Sequence, residues 1–142
     1  MKYFTSLVLS LTLFVTTLGF STPASATKDR CIDFKDEALA AGWSESDWPI
    51  LDKIIWRESR CKPNVRNKRG RDDSYGLMQL NMKAHRKWVR PLVTDENGFA
   101  DFDRLYDPLT NLTIARVLYE KADDMWGCGW RPWHTRKTKW CK

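Results

Sequence analysis

Asp73-Ser74-Tyr75-Gly76-Leu77-Met78-Gln79-Leu80-Asn81 is the stretch on which the reading of this chain turns, and Glu58 stands fifteen residues before its start. Gly76 permits a backbone conformation, or a close approach, that a side chain would block. Gln79 offers a donor and an acceptor, suited to an amide such as the N-acetyl group of a sugar. Leu77 and Leu80 read as core. Upstream, Leu51, Ile54, Ile55 and Glu58 are spaced by three, four and seven residues, which puts them on one helical face. A carboxylate on an apolar face is destabilised unless it is protonated or paired. A carboxyl that keeps its proton is what general acid catalysis needs. Arg57 and Arg60 flank Glu58 and offer an ion pair instead. Neighbours one or two residues apart do not share a helical face, which weighs against that pair.

Outward from this centre the chain reads as four helical stretches joined by loops. The first, Phe34 to Ala41, stops at Gly42. The second runs from about Asp47 to Ser59, with caps in Ser44-Glu45-Ser46-Asp47 and Pro49 in its first turn. Cys61-Lys62-Pro63-Asn64 ends it, since proline cannot continue a helix. Residues 65–74 are polar and read as a loop or small hairpin. A third helix is expected from near Leu77 through His85, then a long loop from Pro91 to Tyr106 around Asn97-Gly98. Asp107-Pro108 opens the last helix, with Leu112, Ala115, Tyr119, Ala122 and Trp126 on one face and Gly127 as its stop. The class is mainly α, with a small β hairpin or loop after the helix that carries Glu58.

The ends and the composition bound the setting. Lys2, an apolar run from Phe4 to Phe20 and Ala24-Ser25-Ala26 form an export leader with its cleavage site, so residues 1–26 are expected to leave and residues 27–142 to form one domain. An uncleaved anchor is the competing reading of that run. No other stretch is long enough to span a bilayer, so no stable membrane insertion is expected once the leader is gone. The net charge is +6, which favours an anionic partner; export makes nucleic acid the least suitable one. Cys31, Cys61, Cys128 and Cys141 read as two disulfides of a secreted chain. Sequence alone leaves three pairings open. Cys31–Cys141 with Cys61–Cys128, which constrains the largest loop, is the pairing expected.

The eight tryptophans supply both core and surface. Trp126, Trp130 and Trp133 sit beside glycines and a proline, where aromatic faces could stack on sugar rings. His85 and His134 lack partners at metal-ligand spacing, so neither a metal nor a cofactor is expected. His85 lies six residues beyond Gln79 and, on a shared helix, would face elsewhere. Asn111-Leu112-Thr113 is formally a glycosylation sequence at a helix start.

Glu58-Ser59, then Ser74-Tyr75-Gly76-Leu77-Met78-Gln79-Leu80-Asn81, then Asn111-Leu112, resemble the lytic transglycosylase domain of the soluble lytic transglycosylase type, within the lysozyme-like superfamily. The resemblance covers about Ala38 to Trp133. It implies a lysozyme-like α+β domain, glycan strands of peptidoglycan as partner, and cleavage between N-acetylmuramic acid and N-acetylglucosamine by a secreted or wall-associated monomer. It makes Glu58 the sole catalytic acid and base. It gives the sugar-binding wall as Ser59, Ser74, Tyr75, Gly76, Met78 and Gln79.

Two departures from the family pattern matter. The family's late Ala-Tyr-Asn-Ala-Gly-like motif, whose tyrosine contacts the acid, is replaced by Gly127-Cys128-Gly129-Trp130-Arg131-Pro132-Trp133, leaving Trp130 as the stand-in. Ser74 stands where animal-type lysozymes carry an aspartate before Tyr-Gly, with Asp72 and Asp73 close by. Retaining glycosidases set two carboxyls about 5–5.5 Å apart and inverting ones roughly 6.5–9.5 Å apart. If neither aspartate reaches the cleft, Glu58 acts alone and muramic acid's own primary hydroxyl closes an anhydro ring. A hydrolytic muramidase is the competing enzyme; a non-catalytic wall-binding module or a basic antimicrobial protein is the competing class.

Overall fold

The computed structural model describes residues 29–141. The expected leader and its cleavage site lie outside them. Helix α1 (Lys35–Ala40) follows a 3-10 turn and ends before Gly42, whose φ of +90° requires glycine. Helix α2 (Trp48–Ser59) has Pro49 in its first turn, where a missing N–H does no harm. It buries Trp48, Leu51, Ile54 and Ile55, as the spacing predicts. Arg60 and Cys61 then both take left-handed conformations, turning the chain sharply off the helix end.

A small antiparallel sheet follows: β1 (Arg66–Asn67), β2 (Ser74–Tyr75) and β3 (Leu80–Asn81), in that order. Tyr75 pairs with Arg66 on one side and Leu80 on the other. The expected hairpin therefore has a third strand, and helix α3 is Met82–Val89 rather than a helix from Leu77. The cause is local. Gly76 (φ +73°) and Gln79 (φ +48°) bend residues 76–79 into a turn that sends the chain back along β2. Asn81 then caps α3, accepting from Lys83 N at 2.9 Å.

The expected loop from Pro91 contains 3-10 turns at Arg90–Leu92 and Phe102–Tyr106 and a bridge from Thr94 to Ala100. Helix α4 (Pro108–Trp126) starts where the Asp107 side chain accepts from Thr110 N at 2.8 Å, and Gly127 closes it in a left-handed conformation. Leu112, Ala115 and Ala122 are buried on it, Trp126 is exposed, and Ile114 and Leu118 widen the buried face. The core runs from α2 across the sheet to α4, with Leu51, Ile54, Leu77, Leu80, Val89, Leu105 and Leu112 fully enclosed. No helix among the described residues is long and apolar enough to cross a membrane.

The disulfides are Cys31–Cys61 and Cys128–Cys141, not the long-loop pairing expected. Cys31 is brought to the end of α2 because buried Asp52, on that helix, accepts from the N–H groups of Arg30 and Cys31 at 2.9 and 2.7 Å. Cys61, past the left-handed bend, then lies 5.4 Å from it, Cα to Cα. Cys128 and Cys141 close the final segment on itself, with Cα atoms 5.7 Å apart. Both Cα separations suit a bridge.

Candidate active site

A cavity of about 260 Å³ opens where five parts of the chain meet. Glu58 enters from the end of α2, and Asn67, Asp72 and Ser74 come from the sheet and its loop. Gln79, Leu80 and Asn81 form the floor. His85 on α3, Leu118 on α4, and Pro132 and Trp133 on the last 3-10 turn (Arg131–Trp133) complete it.

Glu58 leaves the core at the point where the apolar stripe of α2 meets this cavity, and its side chain keeps 26% of its exposure. Its partner is Arg57. The guanidinium donates to Glu58 Oε1 from Nε at 3.0 Å and from Nη2 at 2.6 Å. The helical-face argument against this pair fails because the long arginine side chain curls around the helix end. Arg57 Nη2 also donates to Trp133 O at 2.6 Å, and the guanidinium carbon lies 5.0 Å from the Trp140 ring centroid.

The turn that leads into Gln79 rests on Asn111, which is fully buried. Its Oδ1 accepts from Met78 N at 2.9 Å, and its Nδ2 donates to Tyr75 O at 3.0 Å and Leu105 O at 2.8 Å. One side chain thus pins both ends of the Gly-Leu-Met turn, and the formal glycosylation asparagine is inside the protein. Gly76 passes so close that a Cβ there would collide with Asn111 Nδ2 and Leu105 O. Gln79 lines the cavity with its Nε2 donating to Gly76 O at 2.9 Å and Val65 O at 3.2 Å. Its Oε1 has no hydrogen-bond partner among the described residues and is available as an acceptor.

Of the expected wall residues, Ser74 and Gln79 line the cavity, while Ser59, Tyr75, Gly76 and Met78 stand behind it. Ser59 is buried with its hydroxyl on Ile55 O at 3.0 Å. Tyr75 is buried against Tyr106 and under Arg66. Burial first, and then the Asp73 carboxylate, push its phenol up from the ordinary value of 10.0. Trp130 lies in the core, its ring stacked 5.3 Å from Trp43 and edge-on to Tyr119. Trp133 is the tryptophan on the cavity, its indole N–H donating to Met78 O at 3.0 Å.

The two aspartates part company. Asp73 is buried and taken by Arg66, whose Nε and Nη2 each lie 2.8 Å from Oδ1. Asp72 lines the cavity, with one oxygen accepting from Asn81 Nδ2 at 3.1 Å and the other from Asn67 Nδ2 at 3.4 Å.

His85 also reaches the cavity. Because α3 begins at Met82, Gln79 is not on the same helix and the facing argument does not apply. Burial lowers the His85 pKa from 6.5, and its Nδ1 accepts from Trp88 Nε1 at 3.3 Å. Asn67 and Pro132 carry no sequence signal of their own and are brought in by the sheet and the last turn, whereas Asn81 closes the motif quoted from the sequence.

Neither the curated proteins nor the solved structures searched give a significant match to the chain. The family described as Transglycosylase SLT domain matches residues 38–131, well over half of the 142. That span holds Glu58, the Gly76–Gln79 turn and Asn111, and every residue lining the cavity except Pro132 and Trp133. The chain belongs to the transglycosylase SLT domain family, whose members cleave glycosidic bonds in peptidoglycan.

Proposed function

We propose that this protein is an exported lytic transglycosylase in which Glu58 is the single acid and base. The observation that carries this reading is the cavity's carboxylate arrangement. Asp73 is buried in an ion pair with Arg66, Ser74 lines the cavity where an animal-type lysozyme carries aspartate, and Asp72, which does reach the cavity, has each carboxylate oxygen occupied by an asparagine amide. Both Arg57 donors sit on Glu58 Oε1, so Oε2 is the oxygen that carries the proton to the sugar.

Glu58 Oε2–H protonates the glycosidic oxygen as the bond to the muramic anomeric carbon breaks. The neighbouring N-acetyl oxygen shares its electrons with that carbon and disperses the positive charge. The Glu58 carboxylate then takes the proton from the muramic primary hydroxyl. The hydroxyl oxygen bonds to the anomeric carbon, the acetamido oxygen leaves, and the anhydro ring closes with no water consumed. Gln79 Oε1 is placed to accept from an acetamido N–H, and Trp133 and Pro132 give the sugar an apolar wall. Residues 1–26 serve as the export leader and 27–142 as the catalytic domain; two disulfides suit such a destination.

Glu58→Gln tests the assignment. The variant is expected to keep the circular dichroism of the parent and release no soluble fragments from purified peptidoglycan. Retained cleavage refutes the assignment of Glu58, whereas a parent that releases no fragments returns the chain to wall binding or surface disruption by charge.

A second reading has an observation of its own: Asp72 lines the same cavity. A carboxylate able to activate water there makes a hydrolytic muramidase, whose products end in reducing muramic acid.

A further inference from the structure

We propose that the face on which the Glu58 cavity opens is a docking surface for a polyanion, a phosphodiester-linked polymer of the cell wall lying alongside the glycan strand. This inference goes beyond the cleavage reading of the cavity and rests on it only for the wall as the setting.

Charge is sorted along the chain. From Ser59 to Thr94 ten Lys and Arg stand against Asp72 and Asp73, and from Met125 to Cys141 four stand against no acid. The remaining stretches are the reverse, with eight acids against four Lys and Arg from Asp29 to Glu58, and eight against three from Asp95 to Asp124. The fold gathers the two basic stretches at the cavity. Nine of its eleven lining residues come from them, Glu58 and Leu118 being the exceptions. A cleft walled by one sign of charge concentrates ligands of the other.

The cations stand at the edge of that cleft. Lys68, Arg69 and Arg71 are exposed at the tip of the β1–β2 hairpin, between Asn67 and Asp72 on the cavity wall. Lys83 Nζ donates to Gly70 O at 2.5 Å and Asn81 Nδ2 to Arg71 O at 3.3 Å, which hold the tip beside the cavity. Arg136, Lys137 and Lys139 are exposed on the loop that Cys128–Cys141 closes, and the same loop carries Pro132 and Trp133 into the cavity.

Each group puts three cations within four consecutive residues, a span of about 11 Å of chain at most. A phosphodiester chain, charged at every repeat, meets that density, and arginine's planar fork fits its phosphates. Stem carboxylates are sparser, since stems hang from every other sugar. A lipid bilayer on this face would close the cavity mouth, whereas a polymer chain leaves it open to the glycan.

Binding is read in the Glu58→Gln background, which leaves the wall intact. Co-sedimentation compares peptidoglycan carrying poly(glycerol phosphate) with the same peptidoglycan stripped of that polymer by hydrofluoric acid. The polymer-bearing wall is expected to bind about tenfold more tightly, with an advantage that shrinks as salt rises. Lys68→Gln/Arg69→Gln/Arg71→Gln and Arg136→Gln/Lys137→Gln/Lys139→Gln should each remove most of that advantage. Lys53→Gln/Arg104→Gln/Lys121→Gln, which takes the same charge from exposed positions in the acidic stretches, should keep it. Equal binding to the two walls, both of which keep their stems, overturns the docking surface, and so does an equal loss in the control. Sedimentation with phosphatidylglycerol vesicles in preference to the polymer-bearing wall overturns it as well. None of these results touches the role of Glu58, which is read from fragment release.

Discussion

Arg57 Nη2 donates to Trp133 O at 2.6 Å while holding Glu58 Oε1 at the same distance, so one guanidinium sets the gap between the acid and the wall facing it. Trp140 covers that guanidinium, and the Cys128–Cys141 bridge holds Trp140's neighbour in place. The glutamate's aim is therefore a property of the C-terminal segment as well as of α2.

Arg57→Gln should separate aim from binding. Losing the fork frees Glu58 and loosens Trp133, and kcat for peptidoglycan clearing is expected to fall by up to about 10²-fold, as misplaced catalytic groups do. KM should change far less. An unchanged kcat would show that the contact has no part in catalysis.

Asn111→Ala removes three hydrogen bonds from a fully enclosed site and strands Met78 N–H, Tyr75 O and Leu105 O. Stranded buried groups are expensive, so stability should drop by about 3 kcal/mol or more. Urea denaturation measures it; a loss below about 1 kcal/mol would mean the turn does not depend on this clamp.

These elements show what the sequence could and could not reveal. The α2 stripe and the Asp107-Pro108 start of α4 are local signals, set by periodicity and capping, and both were readable. The start of α3 was not, because Leu77-Met78-Gln79-Leu80 looks helical by composition. Gln79, a residue with no special licence for positive φ, takes it directly after Met78, whose N–H is clamped by Asn111 from 33 residues away. Misplacing that boundary also hid His85. The disulfide pairing failed for a similar reason: Asp52, silent in sequence, draws Cys31 to α2 through two backbone N–H groups. Glu58, Ser74 and Gln79 were legible through their motif, while Arg57 was discounted because a face-by-face view of a helix ignores the reach of arginine.

Removing each disulfide in turn distinguishes the two. Cys31–Cys61 spans 30 residues and Cys128–Cys141 spans 13. Chain entropy assigns them about 3.6 and 2.9 kcal/mol, so their stability effects should be close. Activity should separate them: the Cys128→Ser/Cys141→Ser double variant releases Trp140 from above Arg57 and is expected to lose more kcat than the Cys31→Ser/Cys61→Ser one, at a temperature where both are folded. Equal activity losses would contradict the role given to the C-terminal segment.

His85 gives a pH signature. Burial lowers its folded-state pKa below 6.5, so folding favours the neutral imidazole. Its contribution is fully present above pH 6.5 and is lost as the pH falls from there toward the folded-state value. Tm should therefore decline more steeply below pH 6.5 in the parent than in His85→Gln. Parallel Tm curves would place the imidazole in water rather than half inside the cleft.

Mass analysis of the fragments released from purified peptidoglycan tests the central claim most directly. With Glu58 as sole acid and base, the muramic ends carry the anhydro ring and are lighter than hydrolytic ends by one water. Reducing muramic ends would contradict that claim and make Asp72 the group that activates water.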